Sequence, residues 1–171
     1  QRMTEAAAAM HFEEAARLRD QVRAIERSVE HQSVADLGGG DQDILGLQRD
    51  GGEVEVLLLF VRQGKLLGKR SWSVEWRLDI NELISDFLRQ YYGSGVIIPD
   101  QILLPESLED AELLGDWLTE LRGRKVQIST PQRGDKKRMV LMACRNAEDE
   151  KRQRGSKKEA RGKVLEEIRQ R

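Results

Sequence analysis

The apolar pattern of this chain changes period near residue 40, and that change constrains the fold more than any single residue does. Residues 1–34 contain neither glycine nor proline and are rich in alanine, glutamate and arginine, a composition that favours helix. Ala15, Leu18, Val22, Ile25 and Val29 recur at spacings of three and four, which is one helix stripe, and Phe12 and Ala16 widen it. Ahead of it, Met3, Ala6, Ala7 and Met10 form a shorter stripe ending near His11. Two stripes joined by a tight break predict an antiparallel helical hairpin over 1–35. Gly38, Gly39 and Gly40 then interrupt the pattern, so 36–42 reads as a flexible linker.

Beyond the linker, strand-like and helix-like segments alternate. Ile44–Gln48, Val54–Val61 and Leu66–Val74 read as strands separated by the turn signals Asp50-Gly51-Gly52 and Gln63-Gly64, an antiparallel meander. Asp79 is placed to cap a helix with Ile80, Leu83, Ile84, Phe87, Leu88 and Tyr91 inward. Gln101–Leu104 is a short strand. Ser107 is expected to cap the next helix, with Leu113, Leu114, Trp117, Leu118 and Leu121 inward and Gly123 closing it. Lys125–Ser129 is a fifth strand, and Lys136 opens a helix through Met139, Met142 and Ala143. The predicted order over 43–147, β-β-β-α-β-α-β-α, is that of a ribonuclease-H-like mixed sheet, α/β in class, with parallel strands joined by right-handed crossovers. Residues 148–171 are almost purely charged until Val164, Leu165 and Ile168 and read as a charged helical connector.

The net charge of −1 conceals an asymmetry. Residues 1–130 hold 15 Lys/Arg against 23 Asp/Glu, whereas residues 131–171 hold 14 against 7. A basic C-terminal part attracts phosphate backbones, while the plainer alternative is a solvated helix. The single cysteine, Cys144, excludes an internal disulfide and a Cys-rich metal site, and it fits a reducing, cytoplasmic setting. No run approaches the roughly 20 apolar residues that span a bilayer, so no membrane role is expected. The opening Gln1-Arg2-Met3, already helical in pattern, suggests a segment of a longer polypeptide.

A ribonuclease-H-like nuclease needs carboxylates on its first strand, its first helix and after its fourth strand, so that two metals can hold the attacking and leaving oxygens. Ile44-Leu45-Gly46-Leu47-Gln48 has no carboxylate at its centre. Glu106 follows the fourth strand, and Glu82 or Asp86 would face solvent beside the apolar stripe. A catalytically silent copy of the fold is therefore expected, with no catalytic residue, no metal and no cofactor in this segment. His11 and His31 lack ligand partners at metal spacing, and Cys144 reads as a small buried filler. Trp72, Trp76 and Trp117 are candidate stacking platforms, with core packing the stronger reading for Trp117.

Two clusters stand out. In Phe12-Glu13-Glu14-Ala15-Ala16-Arg17-Leu18-Arg19-Asp20, a phenylalanine at the mouth of a small hairpin cannot be enclosed by so few residues, which invites a partner hairpin. In Pro131-Gln132-Arg133-Gly134-Asp135-Lys136-Lys137-Arg138, clustered cations at a helix N-terminus suit an anion, although such loops also serve as rigid turns.

Phe12-Glu13 followed by Ala15-Ala16, Leu18, Arg19 and Asp20 resembles the UVR motif. Gln90-Tyr91-Tyr92, Ile102–Pro105, Leu121–Val126, Pro131–Gly134 and Asn146-Ala147 are similar, in order and spacing, to the region that follows this motif in the UvrC family of the UvrABC excinuclease. The resemblance implies nucleotide excision repair, with UvrB as partner through its C-terminal UVR hairpin. It assigns Phe12, Glu13, Ala15, Ala16, Arg19 and Asp20 to that contact. Gln132, Arg133, Gly134, Lys136, Lys137 and Arg138 are the candidates for DNA. The family's nuclease motifs, helix-hairpin-helix modules and upstream cysteine cluster have no counterpart here. The expectation is a non-catalytic recruitment and scaffold segment, with self-pairing into a homodimer as the competing outcome. An autonomous metal-dependent nuclease using Glu106, and a UVR-type adaptor of a protease or kinase system, are the alternatives.

Overall fold

A computed structural model describes residues 40–169, with side chains as far as residue 162. The expected hairpin, its triglycine linker up to Gly39 and the UVR-like residues lie outside the described residues. Five strands, β1 (Gln42–Asp50), β2 (Glu53–Arg62), β3 (Lys65–Glu75), β4 (Gln101–Leu103) and β5 (Gln127–Ser129), alternate with three helices, α1 (Ile80–Gly93), α2 (Ala111–Arg122) and α3 (Gly134–Arg169). The order β-β-β-α-β-α-β-α is the one read from the sequence. In space the sheet runs β3-β2-β1-β4-β5, with β1, β2 and β3 antiparallel and β1, β4 and β5 parallel.

The meander follows from its turns. Asp50 pairs with Glu53 and Arg62 with Lys65, so each connection has two residues. Gln63 (φ 51°) and Gly64 (φ 75°) both take positive φ, the mirror-image turn whose twist matches paired strands.

Side chains alternate across the sheet and define two cores. Leu45, Val54, Val56, Leu58, Ile102 and Leu104 pack with Leu83, Ile84 and Leu88 of α1 and Leu114 and Leu118 of α2. Ile44, Leu57, Leu59, Val61 and Leu103 belong to the opposite face by register, and α3 lies across β1 and β2 there. Met139, Val140, Met142, Ala143 and Ala147 supply its buried side. Each fully buried aliphatic side chain contributes about 1.5–3 kcal/mol, and both layers add to the stability of the one sheet.

Asp79 caps α1 as expected, its side chain accepting from Asn81 N, and Gly123 closes α2 in the left-handed conformation. Three expectations are corrected. Helix α2 starts at Ala111, after Asp110 and not after Ser107, and the Asp110 carboxylate instead accepts from Ser85 Oγ (2.8 Å) and Arg89 Nη2 (2.6 Å) of α1. Leu113 and Leu121 of α2 are 73% and 51% exposed; Leu114, Gly115 and Leu118 are buried, and Ala111 and the expected Trp117 pack against the core half-buried. In α1, Tyr92 is buried and Tyr91 only half-buried.

Helix α3 is continuous through residue 148, where the charged segment was expected to begin. At 36 residues and about 1.5 Å per residue it extends roughly 54 Å, longer than any strand it crosses. Past Ala147 its contacts with the sheet are polar: Glu150 with Lys69 (2.9 Å), Lys151 with Glu53 (3.4 Å), and Arg154 with Glu55 (3.2 Å) and with the carbonyl and hydroxyl of Ser71 (3.2 and 3.0 Å). Glu55 is fully buried, and that burial raises its pKa against the pull of Arg154. Among the described residues, no helix is long and apolar enough to cross a membrane.

Candidate functional site

The basic loop leads directly into α3. Gln132 Nε2 donates to Thr130 O (3.2 Å) and Thr130 Oγ1 to Glu106 O (3.2 Å), which fixes the approach, and Gly134 turns the chain at φ 78°. The six candidate residues do not share one role. Lys136 Nζ donates to Gln101 Oε1 (2.8 Å) and ties the helix start to β4, while Arg138 pairs with Asp135 in the same turn. Gln132, Arg133 and Gly134 are exposed and Lys137 is half-buried. Arg133 and Lys137 make no ion pair among the described residues.

One cation that sequence reading passed over joins them. Residues 137, 141 and 145 are spaced at four along α3 and share a face. Arg145 is exposed, and Leu141 between the two cations is 48% exposed. Its signal was the spacing, but the start of the helix had to be known before the face was defined. Arg133, Lys137 and Arg145 thus mark a basic track along the outside of α3, backed by the buried Met139, Val140 and Ala143.

The acids are arranged differently. Strand β1 begins two residues earlier than expected and includes Asp43, which is fully buried and which sequence reading missed. Its Oδ1 accepts from Arg62 Nη1 (2.7 Å) and its Oδ2 from Tyr92 Oη (2.6 Å). Burial raises the Asp43 pKa, with the Tyr92 hydrogen bond and the Arg62 charge opposing it, and burial beside Asp43 holds the Tyr92 phenol well above its ordinary value. Arg62 Nη1 also donates to the carbonyls of Gln42 (3.1 Å) and Val61 (2.9 Å). This network joins β1, β2 and α1.

The donor set does not fit the two-metal centre that the fold implies. Of the two carboxylates of β1, Asp43 is committed to a guanidinium and a phenol and Asp50 is exposed at the turn, and Glu82, Asp86 and Glu106 are all exposed. Among the described residues no three of His, Cys, Asp and Glu gather in a metal-binding group. Cys144 is half-buried, its backbone nitrogen against β1. Trp72 meets Phe87 and Tyr91 edge-on, at 5.0 and 5.4 Å between centroids, with the Arg70 guanidinium over its ring at 5.2 Å. Trp72 is thus half-buried within an aromatic and cationic cluster of its own domain.

Comparison with known proteins defines first a class. Residues 41–154 match the UvrC Ribonuclease H-like domain, and residues 1–28 match the UvrB/uvrC motif. The chain is 57% identical over 166 residues to UvrABC system protein C of Syntrophotalea carbinolica, covering 97% of this chain and 27% of the relative. It is 42% identical over 171 residues to UvrABC system protein C of Geobacter metallireducens, covering all of this chain and 28% of that relative. The chain belongs to the UvrABC system protein C family, of whose members it spans about a quarter in length. A solved Bacteroides thetaiotaomicron protein with an actin-like ATPase fold and unknown function overlaps at a TM-score of 0.35 and 19% identity, covering 67% of this chain and 42% of that one.

Proposed function

We propose that this segment recruits and braces the excinuclease without cutting DNA itself. Residues 1–28 would bind the UVR hairpin of UvrB, and the ribonuclease-H-like domain would rest on DNA through the basic track of α3. The observation that carries this reading is a UVR motif joined to a sheet domain whose first-strand acid is locked to Arg62 and Tyr92. An acid held in that way stabilises three elements, and it is buried with each oxygen turned to a partner within the domain.

The recruitment half rests on Phe12 as anchor, with Glu13, Ala15, Ala16, Arg19 and Asp20 around it. Burying one aromatic ring contributes on the order of 1.5–3 kcal/mol, or about a 10- to 150-fold difference in Kd. Titration against the UvrB C-terminal hairpin is expected to show that loss for Phe12→Ala, with Arg23→Ala near wild type. Equal affinities of the two variants, with helix content unchanged, would remove the hairpin from the proposal. A homodimer lost on Phe12→Ala would mark the same surface as self-pairing.

The DNA half predicts weak, sequence-independent binding that falls steeply with salt. Each lost phosphate contact lowers the log–log salt slope by about 0.9 on duplex DNA. The combined change Arg133→Gln, Lys137→Gln and Arg145→Gln is therefore expected to lower the slope by roughly 2–3. Lys136→Gln should leave it nearly unchanged, since Lys136 is held by Gln101. An unchanged slope in the triple variant returns the loop to a structural role.

A further inference from the structure

The surface of α2 has no use in either half of that proposal. Its sequence places Leu113, Trp117 and Leu121 four apart, and Glu112, Asp116 and Glu120 at the same spacing one residue earlier. On a helix these become two adjacent parallel ridges, each about 12 Å long. The three acids are exposed, Leu113 and Leu121 are among the most exposed large apolar side chains described, and Trp117 is half-buried. Leu114 and Leu118, which do reach the core, are 2% and 0% exposed. Trp117 packs in part against the domain's own core, so the helix leaves Leu113, Leu121 and the remaining surface of Trp117 uncovered on a second side.

Scattered exposed leucines need no explanation, but an apolar ridge continuous with a tryptophan and bordered by a line of carboxylates does. The charge around it points to what covers it. Residues 79–125 hold ten Asp/Glu against four Lys/Arg, with Lys125 beside Glu112 and Asp116, in contrast to the basic track on α3 across the sheet. Such a surface repels nucleic acid and anionic lipid, and it complements a cationic partner. The i, i+4 spacing of the ridge suits ridges-into-grooves packing of another helix. The chain covers 27–28% of its relatives' length, and a helix elsewhere in a polypeptide of that length would be held at high effective concentration.

We infer that α2 is an internal docking site: its apolar ridge receives a basic amphipathic helix from another part of the same UvrABC protein C polypeptide. The two leucines and the part of Trp117 not taken up by the core pack against that helix's apolar stripe. Glu112, Asp116 and Glu120 meet its lysines or arginines and set its direction.

The test uses the full-length protein with Leu113 replaced by the photo-cross-linker p-benzoylphenylalanine, and maps the product by mass spectrometry. The expected product is a cross-link within one polypeptide, to a segment with net positive charge and apolar residues at helical spacing. Its yield should fall about tenfold or more when Glu112→Gln, Asp116→Gln and Glu120→Gln are combined. The same cross-linker at Leu67, exposed on β3, should not give this product. A cross-link to a second copy, to an acidic or non-helical segment, or none at all would overturn the assignment, as would a yield indifferent to the three acids.

Discussion

Replacing Gly46 with alanine is expected to destabilise the domain by about 3 kcal/mol or more, at the upper end of over-packing effects. Gly46 lies at the centre of β1, where α3 crosses the sheet at its closest approach. A Cβ there would stand 2.2 Å from the carbonyl carbon and oxygen of Ala143 and 2.7 Å from the nitrogen of Cys144. All three atoms are helix backbone, so no side chain can swing aside. The helix must lift, and in lifting it loosens Val140, Ala143 and Ala147 from the sheet. Gly68, on the edge strand β3, has open space where its Cβ would go. Gly68→Ala is expected to stay within about 0.5 kcal/mol of wild type. Urea denaturation of both variants checks this, and equal midpoints would show that α3 does not bear on β1 as described. The same displacement should also weaken DNA binding in the proposed function, because Lys137 and Arg145 ride on the helix that moves.

Asp43→Ala should cost nearly as much, about 3 kcal/mol, the lower end for removing one partner of a buried ion pair. The substitution leaves the Tyr92 hydroxyl buried without its acceptor and strips Arg62 of its counter-charge. The cost stays at the lower end because the Arg62 side chain is 20% exposed and keeps its two carbonyl acceptors. Asp43→Asn retains an oxygen for Tyr92 and should recover part of the loss. The two variants also carry a signature in pH. Burial raises the native pKa of Asp43 above its unfolded value, so the folded state holds a proton that the unfolded chain releases. The contribution of this group is therefore largest in acid, and it declines as pH rises from the ordinary carboxylate range through the raised native value. Asp100 has the opposite sign: its hydrogen bond with Arg122 lowers its pKa, so its contribution is lost as pH falls. Thermal melts across acidic pH, compared between wild type and Asp43→Asn, isolate the Asp43 component. Parallel profiles would show that burial does not perturb this carboxylate.

Sequence alone carried the features whose cause is local. The Asp79 cap, the Gln63-Gly64 turn and the Gly123 stop each depend on residues within a few positions, and each was legible. So was the element order, because strand and helix periods differ over stretches as long as β2 and α1. The short UVR-like run and the motifs beyond it were also legible as family resemblance, and the matches over 1–28 and 41–154 agree with that resemblance.

What the sequence could not settle depended on which segments meet. Asp43 was passed over because its partners, Arg62 and Tyr92, lie 19 and 49 residues away, and only strand register and helix packing bring them together. Nothing in the residues around Gly46 reports that α3 crosses it; only the packed helix shows why a Cβ has no room there. Lys136 and Lys137 are adjacent and chemically alike, yet one donates to Gln101 and the other makes no hydrogen bond or ion pair among the described residues. Leu113 and Leu121 carry the same apolar signal as Leu114 and Leu118, since periodicity reports only that a side chain prefers to leave water. Whether a neighbour stands on that side of the helix to receive it is a property of the assembled layers, and there the sheet reaches Leu114 and Leu118 and stops.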